Sequence, residues 1–123
     1  MNLDQEAAAF AWERVPEQPN DEYVNTAKAA PSMIMANGLM QTLAFYEAKR
    51  KDLRKHIMAW LGRRMGTELP RGNEGPMIGS GQEFSVVMRF LQNADSDQYM
   101  RATEEALAVL KWIRQFADAK RQR

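Results

Sequence analysis

Between positions 49 and 55 the chain carries Lys49, Arg50, Lys51, Arg54 and Lys55, with Asp52 as the only acid. Five cations in seven residues form a resource for binding phosphates. Such a cluster displaces counterions from a nucleic-acid backbone and reads no base sequence. Arg63 and Arg64 extend it, and Lys111 and Arg114 add charge near the C-terminus. Trp112 and Phe116 lie one helical turn apart beside the last two, where bases could stack on them; the same spacing suits core or protein contact. The candidate nucleic-acid-binding set is therefore Lys49, Arg50, Lys51, Arg54, Lys55, Arg63, Arg64, Lys111 and Arg114. The competing reading of 49–55 is a solvated face, with Glu47 and Asp52 giving local pairs worth about 0.2–0.5 kcal/mol each.

Other chemistry is poorly supplied. His56 is the only histidine and there is no cysteine, so disulfides and thiolate metal sites are excluded. His56 sits among cations on what reads as a surface helix, which predicts a solvated side chain rather than a general base. Asp95 and Asp97 could hold a divalent ion, but acids in a turn before a helix more often cap it. Gly79-Ser80-Gly81 lacks the outer spacing and preceding strand of a nucleophile elbow. The glycine-rich stretch has no Gly-Lys-Ser/Thr ending, so it is not a phosphate-binding P-loop. The expectation is a protein that is not an enzyme and needs no metal or cofactor.

The elements that must position these residues are helical. Asn2 and Gln5 predict a capping box for a first helix over Leu3 to about Val15, with Leu3, Ala7, Phe10 and Ala11 as its apolar stripe. Pro16 and Pro19 break the chain. A second helix starts near Asp21, and Pro31 predicts a kink or a new start. A third, over about Ser32 to Tyr46, is apolar nearly all round (Ile34, Met35, Leu39, Met40, Leu43, Ala44, Phe45), as central helices are. Gly38 inside it suggests a neighbour crossing closely. A fourth spans about Lys51 to Met65, with Leu53, Ile57, Trp60 and Leu61 inward and Lys51, Arg54 and Lys55 on another side.

Residues 66–81 contain five of the seven glycines with Pro70 and Pro76, which reads as a long flexible loop. Ser80-Gly81-Gln82-Glu83 predicts a capping box for a fifth helix that buries Phe84, Val87, Phe90 and Leu91. After a turn at Asn93–Ser96, the last helix carries Tyr99, Thr103, Ala106, Leu107, Leu110, Ile113 and Ala117, with Val109, Trp112 and Phe116 on a second apolar side. No alternating run is long enough to predict a strand. The fold class expected is all-α, one compact bundle of about six helices over 1–123.

The chain has 123 residues, 45% hydrophobic and 27% charged, with net charge +1. That suits one soluble domain. No apolar run approaches a membrane span, and the first residues do not read as a signal peptide, so a cytoplasmic setting is expected. The near-neutral total hides segregation. Residues 1–25 hold Asp4, Glu6, Glu13, Glu17, Asp21 and Glu22 against Arg14 alone, whereas 49–64 are almost wholly basic. Such a molecule can meet a polyanion or, head to tail, its own copies.

Asn37-Gly38-Leu39, Gln41-Thr42-Leu43-Ala44-Phe45-Tyr46 and Ala48-Lys49 resemble the small α-helical subunit of type III-B (Cmr-type) CRISPR RNA-silencing complexes. Tyr23, Ala27-Lys28, Trp60-Leu61, Tyr99, Thr103–Leu107 and Trp112–Ala117 extend the resemblance over nearly the whole chain outside 66–81. Met40 stands where a second glycine is common. The resemblance implies a compact helical protein without a catalytic centre, whose copies stack into a minor filament along the backbone filament that holds the guide RNA. Its implied partners are guide and target RNA, the backbone and large subunits and adjacent copies of itself; cleavage belongs to neighbouring subunits. The small subunit of type III-A complexes, a protein–protein adaptor without RNA contact, and a small DNA-binding regulator stay open.

Overall fold

The longest helix organises the fold. In the computed structural model, which describes residues 1–66, 68–69, 71–72, 75–76 and 83–122, the helices are α1 (Leu3–Arg14), α2 (Asp21–Asn37), α3 (Leu39–Lys49), α4 (Lys51–Met65), α5 (Glu83–Asn93) and α6 (Ser96–Arg121). At 26 residues α6 is about 39 Å long. Its buried line Ala102, Ala106, Val109, Leu110, Ile113 and Ala117 packs against α1, α2 and α4 together. Three alanines in that line let the neighbours approach closely. The expected all-α bundle is what forms. The only strand pairing among the described residues is a two-residue antiparallel ladder, β1 (Arg71–Gly72) with β2 (Gly75–Pro76), inside the glycine-rich stretch.

Local signals set most boundaries. The Asn2–Gln5 box closes both ways, with Gln5 N donating to Asn2 at 2.8 Å and Asn2 N to Gln5 at 2.9 Å. Asn20 caps α2 through Tyr23 N, and Asp95 caps α6 in a second box with Gln98. Asp95 is thus a helix cap. The box expected at Ser80–Glu83 falls outside the described residues. α5 buries Val86, Val87, Phe90 and Leu91, while Phe84 is half-buried. Along α1, Ala7, Phe10 and Ala11 are buried as expected, whereas Leu3 is exposed.

The middle of the chain departs from expectation. Pro31 neither ends nor restarts a helix; α2 runs through it to Asn37. The missing hydrogen bond is offset by Ala27, Ala30 and Ile34, all buried. The break comes instead at Gly38, whose φ of +88° and ψ of 161° end α2 and start α3. Only glycine takes that conformation without strain. The close neighbour expected there does exist: a Cβ on Gly38 would lie 3.5 Å from Tyr99 Oη, and that hydroxyl accepts from Met40 N at 3.1 Å. Tyr99 on α6 therefore supplies the cap that Gly38 cannot.

α3 is not central. Leu39, Leu43 and Tyr46 are buried, but Met35 at the end of α2 and Phe45 on α3 are exposed. A second break at Arg50 separates α3 from α4. Replacing Gly38 with alanine should lower unfolding free energy by about 1–3 kcal/mol, the cost of one strained backbone position. Urea unfolding followed by circular dichroism checks this; an unchanged midpoint would contradict the positive φ.

Candidate nucleic-acid interface

The cations of α4 divide according to what lies beside them. Leu53, Ile57, Trp60 and Leu61 are buried, as their spacing predicts. The buried sector is wider than that stripe, because α4 packs on α3 and α5 as well as on α6. Met58, Met65 and Arg54 fall inside the added sector. Arg54 is therefore not on the outer side with Lys51 and Lys55. Its side chain is 7% exposed and its Nε lies 2.8 Å from Glu47 Oε2. The N–H is not aimed at that oxygen, so the contact is an ion pair rather than a formed hydrogen bond. One turn further along α4, the Met58 sulfur accepts from Arg54 Nη1 at 3.8 Å.

Arg64, though exposed, is also paired with carboxylates of the fold. Its Nε donates to Glu105 Oε2 at 3.1 Å, and its Nη1 lies 3.8 Å from Glu6. Trp60 Nε1 donates to the other Glu105 oxygen at 3.1 Å. Arg50 donates to Thr26 Oγ1 at 3.1 Å and sits 3.9 Å from Glu22; Lys51 is 3.8 Å from Glu47. Exposed pairs of this kind contribute little and leave the cation open to another anion. Lys49, Arg50 and Lys51 line a cavity of about 260 Å³ together with Asn20, Tyr23 and Thr26, and with Glu22 and Asp52. Lys49, Lys55 and Arg63 are exposed and make no ion pair among the described residues.

The C-terminal cations divide in the same way. Lys111 pairs with Asp4 at 3.3 Å, and Trp112 Nε1 donates to the same carboxylate at 2.9 Å. The indole bond first, and the ammonium second, hold the Asp4 carboxyl below its ordinary value. Trp112 and Phe116 are half-buried and lean together at 5.5 Å, with Trp12 of α1 edge-on to Phe116 at 5.1 Å. These rings serve the α1–α6 contact. Arg114 stays exposed and unpaired among the described residues. Lys120, which in the sequence looks like one more tail cation, is 1% exposed. Its ammonium donates to Trp12 O at 2.6 Å, Val15 O at 2.8 Å and Glu17 at 3.2 Å, closing the carbonyl end of α1. No local pattern announces this, because its partners lie over 100 residues earlier.

His56 is not solvated. It is half-buried, and Tyr23 Oη lies 2.7 Å from its Nδ1. Burial, then the positive charge of Arg14, lowers the imidazole below its ordinary value; Asp52 acts in the opposite direction. Burial pushes the Tyr23 hydroxyl upward, so it stays a proton donor. A neutral imidazole accepts that proton at Nδ1. The pair ties α2 to α4. No group of three metal-ligating side chains occurs among the described residues, and no helix among them is long and apolar enough to cross a membrane.

These residues define a small helical protein that carries unpaired cations on its helix faces among the described residues. Residues 3–120 match the family model described as CRISPR-associated protein (Cas_Cmr5). The chain belongs to that family, whose small Cmr5-type proteins occur in type III-B systems. It is 27% identical over 116 residues to the CRISPR system Cmr subunit Cmr5 of Thermus thermophilus, covering 91% of this chain and 90% of that one.

The Tyr23–His56 pair makes stability depend on pH. Because the folded imidazole is depressed below 6.5, the unfolded chain binds more protons once pH falls beneath that value. The contribution from this pair should be complete above pH 6.5 and decline as pH drops toward the folded value. Urea midpoints measured from pH 7.5 downward should fall in the wild type and fall less in His56→Gln; equal slopes would contradict the buried neutral imidazole.

Proposed function

We propose that this protein is a non-catalytic subunit of a type III-B CRISPR ribonucleoprotein, stacking with copies of itself along the backbone subunits and holding guide and target RNA by their phosphates. The observation that carries the RNA contact is the division of the basic set. Arg54 and Arg64 are tied to carboxylates of the fold, whereas Lys49, Lys55, Arg63 and Arg114 are exposed and form no ion pair among the described residues. Unneutralised cations on rigid helices attract a polyanion, and phosphate contact carries no base identity. This fits an assembly in which guide pairing supplies sequence recognition. The naming of the Thermus relative as a Cmr subunit supports the assembly. Cleavage is assigned to other subunits, and the setting is cytoplasmic.

Reversing Lys49 and Lys55 to glutamate should change stability by no more than about 0.5 kcal/mol, as surface substitutions do. In the assembled complex it should weaken binding of guide-complementary RNA equally for every guide sequence. The slope of log affinity against log salt should fall by about two, one for each phosphate that no longer meets a lysine. Filter binding across a salt series measures both. Unchanged affinity and slope would make this face a protein-docking surface or plain solvated surface. Reversing Arg54 provides a contrast: it places a second carboxylate beside Glu47 in a buried position and should lower the thermal midpoint.

A further inference from the structure

The sequence places Arg14 in the acidic segment, as its one opposing charge. The fold places it elsewhere. Side chains of α1 and α4 meet at two successive points, in antiparallel order. Glu6 Oε2 lies 3.8 Å from Arg64 and the Phe10 ring lies 5.1 Å from the Trp60 ring, while the charge of Arg14, one turn beyond Phe10, acts on His56. The Arg14 guanidinium carbon stands 4.6 Å from the centre of the Phe10 ring, and that of Arg63 stands 6.0 Å from the Trp60 ring. A seam of two aromatics, tilted 57° to each other, thus carries a guanidinium from each helix. Phe10 is 2% exposed and Trp60 0%, so neither ring can offer a face to a base.

Arg14, Lys55 and Arg63 are all exposed, and none makes an ion pair among the described residues. Arg64, the other guanidinium at Trp60, is committed to Glu6 and Glu105. Asp52 is the carboxylate that acts on His56 from α4, and Glu13 is the exposed acid next to Arg14 in sequence. Lys55 and Arg63 are eight residues apart, about 12 Å along α4. Arg14 comes from α1, and its charge and that of Lys55 both act on His56.

We infer that Arg14, Lys55 and Arg63 form one phosphodiester-binding row across the α1–α4 seam, so that the RNA contact extends onto the first helix. The inference rests on the RNA-holding function proposed above and assigns that contact a residue from the acidic segment. Charge complementarity selects the occupant. The row is cationic and lies over rings closed to stacking, which favours a backbone over bases. A guanidinium held on an aromatic ring is pre-oriented, and its planar fork matches two phosphate oxygens.

The test uses the assembled complex carrying full-length wild type, Arg14→Gln, Arg14→Lys, Arg63→Gln or the Lys49→Glu/Lys55→Glu pair, with labelled guide-complementary RNA as probe. Arg14→Gln and Arg63→Gln should each lower the salt slope by about one, and Arg14→Lys, which keeps the charge, should restore it. Placement is checked separately. The imidazole titration of His56, followed by NMR in the free protein, should move upward in Arg14→Gln because a neighbouring positive charge is gone. Wild-type affinity and slope in Arg14→Gln, alongside weakened binding by the lysine pair, would overturn the inference and leave the proposed function standing. Unchanged binding in all variants would overturn both. A slope equally low in Arg14→Gln and Arg14→Lys would indicate disrupted packing on Phe10 and overturn the inference as well.

Discussion

The structure depends on one helix having to bury its apolar face against three others at once. Ala102, Ala106, Val109, Leu110, Ile113 and Ala117 of α6 meet α1, α2 and α4 along about 39 Å. That arrangement decides where both ends of the chain go. α1 lies parallel to the C-terminal half of α6, with Asp4 against Trp112 at one end and the α1 carbonyls against Lys120 at the other. The buried ammonium is tolerable because it replaces its water shell with two carbonyls and a carboxylate. α4 then fits against the other side of α6, fixed by Trp60 and Arg64 on Glu105.

This packing also sorts the charge. Acidic and basic segments far apart in sequence become neighbours, so Asp4, Glu6, Glu17 and Asp21 meet Lys111, Arg64, Lys120 and Arg121 within one molecule. Part of the segregation that suggests a head-to-tail partner is therefore used in cis. The remaining charge is more informative than the total, because a cation already paired with a carboxylate of the fold gains less by meeting a phosphate. Lys49, Lys55, Arg63, Arg114 and Arg14 remain unpaired among the described residues. Two of them, Arg14 and Arg63, stand over the Phe10 and Trp60 rings where α1 meets α4.

The polar side chains of this small helical protein are largely engaged in bracing its helices. Several polar contacts tie its elements together. Tyr23 with His56 ties α2 to α4, Tyr99 caps α3 from α6, and Glu68 holds Arg101 through two hydrogen bonds of 2.7 and 3.0 Å at the start of the glycine-rich stretch. Residues with chemical potential in the sequence are thereby occupied as braces, which agrees with the family to which the chain belongs.

Much of the architecture is legible from the residues alone, because caps and helical periodicity are local. Asn2 with Gln5, Asn20, and Asp95 with Gln98 each act within three residues, and α1, α4 and α6 begin where those signals or the periodicity put them. The all-α class, the buried stripe of α4 and the tendency of Trp112 and Phe116 to pack follow from spacing. The proline at 31 misleads because burial of Ala27, Ala30 and Ile34 outweighs a missing hydrogen bond, and burial is a tertiary quantity. Gly38 reads as helix interior because sequence carries no sign of its φ. The individual fates of the cations are even less local. Arg54 and Lys55 are adjacent and chemically alike, yet one is buried on Glu47 and the other is free, since a 100° step around α4 carries Arg54 into the sector covered by α3 and α5. Sequence alone thus determines the helices and their net charge. Only packing decides which cations the fold neutralises, because ion pairing requires proximity in space, and the acids that meet Lys111 and Lys120 lie more than 100 residues away in sequence.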